Sequence, residues 1–189
     1  MTKNIQISLI TLVVLLAIFL FINNTQSKLN STSIPIFTND ANNISKFLIQ
    51  AGGGAIELSK IDTMWQISGN DTLQVKSRSI DNLFDKVLLV NRGTIISNNP
   101  KKYIKYSVDD SSGIHLAIID PNGQTINYYV FGQSQSDYAR SYVRIDNDPN
   151  VYLADQNITY MLQTRPEYWG EKPKEEPILP TPTLQDTLN

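Results

Sequence analysis

Residues 114–130 read Ile114-His115-Leu116-Ala117-Ile118-Ile119-Asp120-Pro121-Asn122-Gly123-Gln124-Thr125-Ile126-Asn127-Tyr128-Tyr129-Val130, and this stretch decides the fold. Ile114, Leu116 and Ile118 alternate with a period of two, and so do Ile126, Tyr128 and Val130. Between them, Asp120-Pro121-Asn122-Gly123 supplies the residue types of a tight turn. The pattern continues downstream. Residues 142–145 and 151–154 form a second pair of strands around Asp146-Asn147-Asp148-Pro149-Asn150. Together they predict a four-strand antiparallel meander.

Upstream, residues 55–59 and 63–67 alternate like a hairpin around residues 60–62, and Gly52-Gly53-Gly54 reads as a flexible joint before it. Ser79 is the expected cap of a helix with Ile80, Leu83, Phe84, Val87 and Leu88 on one face, stopped by Asn91 and Gly93. Asn99-Pro100 pairs a capping residue with proline at the first helical position, so residues 101–106 should form a short helical turn. Asp155 or Asn157 can cap a last short helix ending near Gln163. Strands and helices segregate instead of alternating. The expected class is α+β: an N-terminal hairpin, a helix, a four-strand meander and a short C-terminal helix around a largely antiparallel sheet.

The chain has 189 residues, room for one domain of ordinary size plus a membrane segment. Residues 4–27 carry no charge, and residues 5–22 are almost wholly apolar. As a helix the latter reach roughly 27 Å, enough for a hydrocarbon core. The run is longer than a secretory core and has no small-residue cleavage site after it. A retained signal-anchor is therefore favoured, with secretion after cleavage as the alternative. Lys3 before the span and Lys28 after it nearly balance, so orientation rests on the long C-terminal part being translocated. Residues 23–43, rich in Asn, Ser and Thr, read as a polar linker from which Ile34, Ile36 and Phe37 can dock as an extra edge strand. Pro173, Pro177, Pro180 and Pro182 mark residues 171–189 as an extended, disordered tail. The expected division is a stub (1–4), a transmembrane signal-anchor (5–22), a linker (23–43), an extracytoplasmic domain (44–170) and the tail.

Composition removes whole classes of chemistry. A net charge of −2 gives no electrostatic case for nucleic acid. The absence of cysteine excludes disulfides, thiol nucleophiles and cysteine-ligated metals. A single histidine excludes H-E-x-x-H. His115, with Asp109, Asp110, Ser111 and Ser112 close in sequence, is the candidate general base, on the strand face opposite Ile114, Leu116 and Ile118. Residues 146–150 start like a calcium loop, but Val151 and Asn157 stand where an EF-hand needs glycine and a carboxylate, and a hairpin turn explains the same residues. Lys101, Lys102 and Lys105 read as a solvated basic turn. No catalytic, cofactor-binding or metal-binding residue is assigned. Arg140, Tyr142 and Arg144, at a spacing of two, should share one strand face, with Tyr152 joining from the next strand. Tyrosine and arginine anchor interfaces, so these four are the candidate partner surface; pairing with Asp137, Asp146 or Asp148 is the plainer reading.

Read in order, these features resemble a bacterial family, domain of unknown function family 4340. The likeness rests on the hairpin with Trp65, the helix at Leu83-Phe84, Tyr106-Ser107-Val108-Asp109, Ile118-Ile119-Asp120-Pro121-Asn122-Gly123, Val130-Phe131-Gly132, Tyr142-Val143-Arg144 and Val151-Tyr152. Ser107 departs from the family's usual glycine. The resemblance implies a membrane-anchored protein, with related regions in auxiliary proteins of gliding-motility-type ABC transporters, and it implies no catalytic residues. The expectation is a non-enzymatic, single-pass protein of the bacterial inner membrane with a periplasmic domain. It would contact the bilayer through residues 5–22 and a membrane-protein partner, with ABC transporter subunits as candidates. The alternative is a domain that binds or hydrolyses envelope glycan or peptide, using Asp109, Asp110 or His115.

Overall fold

In the computed structural model the described residues are 12, 14–16, 33–135 and 137–173. The strands in chain order are β1 (Ile34–Pro35), β2 (Lys46–Ala51), β3 (Gly54–Ile61), β4 (Met64–Ile67), β5 (Gln74–Val75), β6 (Asn91–Ser97), β7 (Ile114–Ile119), β8 (Thr125–Gln133), β9 (Ser141–Ile145), β10 (Val151–Ala154) and β11 (Gly170–Glu171). Nine of them form one antiparallel sheet in the order β1-β6-β10-β9-β8-β7-β2-β3-β4, and β5 pairs with β11. The meander is β7 to β10, as its alternation predicts. The Asp120 carboxylate accepts from the Asn122 and Gln124 N–H groups, and Gly123 takes the positive φ that closes the turn.

Alternation sorts the sheet into two unequal faces. On the first lie Phe47, Ile49, Leu58, Ile67, Leu116, Ile118, Tyr129, Phe131 and Val143, all buried. The α-helix Ser77–Asn82 and the π-turn Leu83–Val87 cover it with Ile80, Leu83 and Val87, and Ile158, Met161, Leu162 and Trp169 complete the core. The expected helix face is correct, but its cap is not. Lys76 precedes the helix without a side-chain cap, while the Ser79 hydroxyl, inside it, donates to the Tyr168 carbonyl. Lys76 Nζ donates to the Glu167 carbonyl at 2.6 Å. The C-terminal segment, not a local cap, fixes the start of the helix.

Three further expectations need correcting. Gly52-Gly53-Gly54 is no loose joint: Gly52 and Gly53, both at positive φ, make the two-residue turn between β2 and β3. Residues 91–97 do not end a helix; they form β6, which reaches the far end of the sheet between β1 and β10. Among the described residues the first strand begins at Ile34, inside the expected linker, and the last ends at Glu171, one residue into the expected tail. Ile34 and Pro35 do form an edge strand on β6, and Ile36 is buried. Of the short elements, the 3-10 helix Pro100–Tyr106 is capped by Asn99, whose side chain accepts from Lys101 N–H. Asn157 accepts from Thr159 N–H where Thr159–Met161 turns, and Asp155 binds Asn91 instead.

Of the expected membrane span, only Leu12 and residues 14–16 are described, as helix; the remainder lies outside the described residues, as do residues 174–189 of the tail. Among the described residues no helix is long and apolar enough to cross a membrane.

Trp65 packs beneath the helix, its ring stacked on Phe47 at 5.3 Å and edge-on to Phe84 at 6.0 Å. It is only half-buried. Trp65→Ala should therefore lower stability by about 2 kcal/mol, below the range for a fully buried tryptophan, as measured by urea unfolding of the wild type and variant.

Candidate functional site

The second face of the sheet carries Tyr142 and Arg144 of the expected partner surface, with His115. Val130 and Val151 pack there with Val108 beneath Tyr103, Tyr106, Tyr128 and Tyr142. The 3-10 helix lies on this face because Gly132 leaves room for it: a Cβ at Gly132 would meet the Tyr106 carbonyl and come within 2.7 Å of the Ser107 carbonyl. The Tyr142 ring, from the strand paired with Gly132, meets Tyr106 edge-on at 5.0 Å. Arg144 lies over the Tyr103 ring at 4.8 Å, donates through Nε to the Val108 carbonyl at 3.2 Å and pairs with Asp110 at 3.2 Å. Tyr103 donates to the Pro149 carbonyl. Tyr106, Val108, Val130, Gly132, Tyr142, Arg144 and Val151, all from the quoted motifs, thus form one clasp between the 3-10 helix and the sheet.

This clasp splits the expected partner surface. Tyr142 and Arg144 share a face but are partly covered by the chain's own helix. Arg140 precedes β9 as an exposed turn residue, bound to Asp137 at 2.6 Å. Tyr152 is on the other face: Val151 stands opposite Arg144, which sets Tyr152 beside Val143. There its hydroxyl donates to Asp148 at 2.6 Å, and Arg92 lies over its ring at 4.7 Å. The turn between β9 and β10 sets this parity, which strand alternation alone does not reveal.

The candidate chemical groups are similarly engaged. Hydrogen bonds from the Ser111 and Ser112 hydroxyls hold the Asp109 carboxyl below the usual carboxylate range. Against the opposing effect of burial, donation from Tyr152 and Asn150 holds Asp148 low. Asp146 accepts from Tyr128 N–H at 2.7 Å, so the turn at residues 146–150 uses these carboxylate oxygens itself. Among the described residues no group of three metal-ligating side chains converges. His115 is buried, with Nδ1 hydrogen-bonded to the Tyr128 hydroxyl and Nε2 without a partner. Burial raises the Tyr128 hydroxyl above its ordinary pKa, with Arg144 opposing and Asp110 adding. Lys101 and Lys102 are exposed, as a solvated basic turn requires.

Ser107 occupies the left-handed region at φ 51°, the conformation glycine adopts without strain. Ser107→Gly should raise stability by about 0.5–1 kcal/mol, because the relieved strain exceeds the added freedom of the unfolded chain. A higher urea midpoint at unchanged slope would show it.

A cavity of about 810 Å³ opens elsewhere, at the β4 end of the sheet. Trp65, Phe84, Ile80 and Leu73 give it an apolar lining, while Lys60, Gln66, Asn70, Asp71, Gln74 and Asp81 supply polar groups. The side chains of Lys60, Gln66, Asp71, Gln74 and Asp81 have no hydrogen-bond or ion-pair partner among the described residues. Sequence reading missed this groove because Trp65 read as one residue of a hairpin strand and residues 68–76 carried no element. The available signal was a tryptophan only two residues beyond a hairpin turn, next to an exposed Met64.

No curated protein and no solved structure matches the chain. A sequence-family profile described as "Domain of unknown function (DUF4340)" matches residues 65–173, from the Trp65 strand through the clasp to just past β11. The match leaves out β2 and β3 and covers more than half of the chain, including the Gly132 seat, the Arg144 contacts and most of the groove lining; the chain belongs to this family of domains of unknown function.

Proposed function

We propose that this chain is a non-enzymatic binding module of the cell envelope, held at the membrane by residues 5–22 and serving as an accessory component of a larger assembly, with a transporter as the assembly the resemblance suggests. The groove at Trp65 carries the proposal: an aromatic lining within a rim of uncommitted polar side chains is the chemistry of recognition. The engagement of Asp109, Arg144 and Asp148 within the clasp and its turn supports the same reading. The groove replaces Arg140, Tyr142, Arg144 and Tyr152 as the recognition surface, since those four do not form one patch.

The test uses the full-length chain in its native membrane. Intact chain should stay with membranes through carbonate and high-salt washes, and release by salt alone would remove the anchor. A photo-reactive residue at Met64, 66% exposed on the groove rim, should give a discrete adduct with an envelope component that Trp65→Ala abolishes. The same probe at Ile104, 71% exposed on the opposite side of the sheet, is the control. Identical labelling from both positions would overturn the binding reading.

A further inference from the structure

We infer that the Trp65 groove is a binding site for a neutral saccharide, with a pyranose ring flat against the indole and its hydroxyls on the polar rim. This rests on the reading of the chain as a binding module and names the ligand class. Sugars of this type are two-sided, with a C–H face that packs on an aromatic ring and hydroxyls that need both donors and acceptors around the edge. The groove offers both. Phe47 on one side and Phe84 at the edge hold the indole in place, so little ordering is needed when a ligand stacks on it. Asp71 and Asp81 can accept from hydroxyls, Lys60 can donate, and Gln74 can do either. The cavity is within the size range of small-ligand sites.

The same residues disfavour other occupants. One lysine against two aspartates leaves a formal charge of −1, wrong for a phosphate or an acidic glycan. A lipid tail would cover these uncommitted polar side chains without satisfying them, and a proline-rich peptide, poor in N–H donors, would leave the Asp71 and Asp81 carboxylates unpaired; each such loss weakens binding. In sequence, Pro177-Ile178-Leu179-Pro180 is a segment of that chemistry, downstream of β11, which pairs with β5 on the groove wall.

The experiment uses the full chain in a detergent without a sugar head group. A panel of neutral tetrasaccharides of glucose, mannose, galactose and N-acetylglucosamine is followed by ligand-observed saturation-transfer NMR to about 10 mM. Tryptophan emission provides a second readout: Trp169 is fully buried, so Trp65 reports the change. At least one member should bind saturably and shift the emission. Trp65→Ala should weaken it about 30-fold or more. Asp81→Asn and Gln74→Ala, at exposed positions, should each weaken it about 5-fold with an unchanged thermal midpoint, which separates contact from folding. Binding by none of the panel overturns the inference, as does binding that all three variants retain. An acidic tetrasaccharide that binds as tightly as its neutral counterpart also overturns it. A peptide of residues 174–185 that shifts Trp65 emission when no sugar does would overturn the saccharide assignment while leaving the binding module standing. Failure of the module itself is read separately, in the Met64 crosslink.

Discussion

Gly132→Ala should destabilise the protein by about 3 kcal/mol or more and lower its melting temperature by on the order of 10 °C. The added methyl group would stand against the Tyr106 and Ser107 carbonyls, and backbone cannot move aside as the end of a flexible side chain does. The 3-10 helix must lift. With it go the Tyr106–Tyr142 contact, the Arg144 bond to Val108 and the cover over Val130. Near-ultraviolet circular dichroism should register the loss, because tyrosines dominate the clasp. Gly123→Ala is the matched control. It sits at φ 81° in open space, so it carries only the backbone penalty, about 1 kcal/mol. Equal effects from the two substitutions would mean that the helix does not rest on β8.

Trp169→Ala should cost about 3–5 kcal/mol, more than Trp65→Ala, in equilibrium unfolding. Trp169 is fully buried, and its indole N–H donates to the Gln163 carbonyl at 2.7 Å. Its own carbonyl accepts from Lys76 N–H at 2.8 Å, at the start of the covering helix. Truncation therefore opens a cavity, strands a carbonyl and loosens the segment that fixes the helix. Trp169→Phe keeps most of the volume and loses the donor, so it should cost about 1–2 kcal/mol. A Trp169→Ala variant as stable as Trp65→Ala would show that the C-terminal segment does not close the core.

The sequence made the locally encoded parts legible. Each strand of the meander announces itself by alternation, and Asp120 to Gly123 and Asn99-Pro100 carry their turn and cap chemistry in their own side chains. What it hid depends on distant partners. β2 lies between two strands, and its pattern of Phe47 and Ile49 is too short to stand out before β7 and β3 flank it. β6 has no strict alternation because only part of its length is covered, so Asn91 and Gly93 read as a helix stop. The face of Tyr152 depends on how many residues the preceding turn consumes. The groove is assembled from a hairpin, a connection and a helix, none of which names the others.

The strand order also governs how the chain reaches this state. β2 must wait for β7 to cover its outer edge, and β6 must wait for β10, so two long closures interleave across the same sheet. Such topologies fold in about milliseconds to seconds, slower than helical bundles, because loop entropy is lost before the distant pairings form. During synthesis the β2–β4 hairpins emerge first, with Phe47, Ile49 and Leu58 facing outward and one strand edge bare. A fragment ending before β7 should therefore self-associate. In the cell, this half of the sheet is where a holding chaperone would act until the meander is complete.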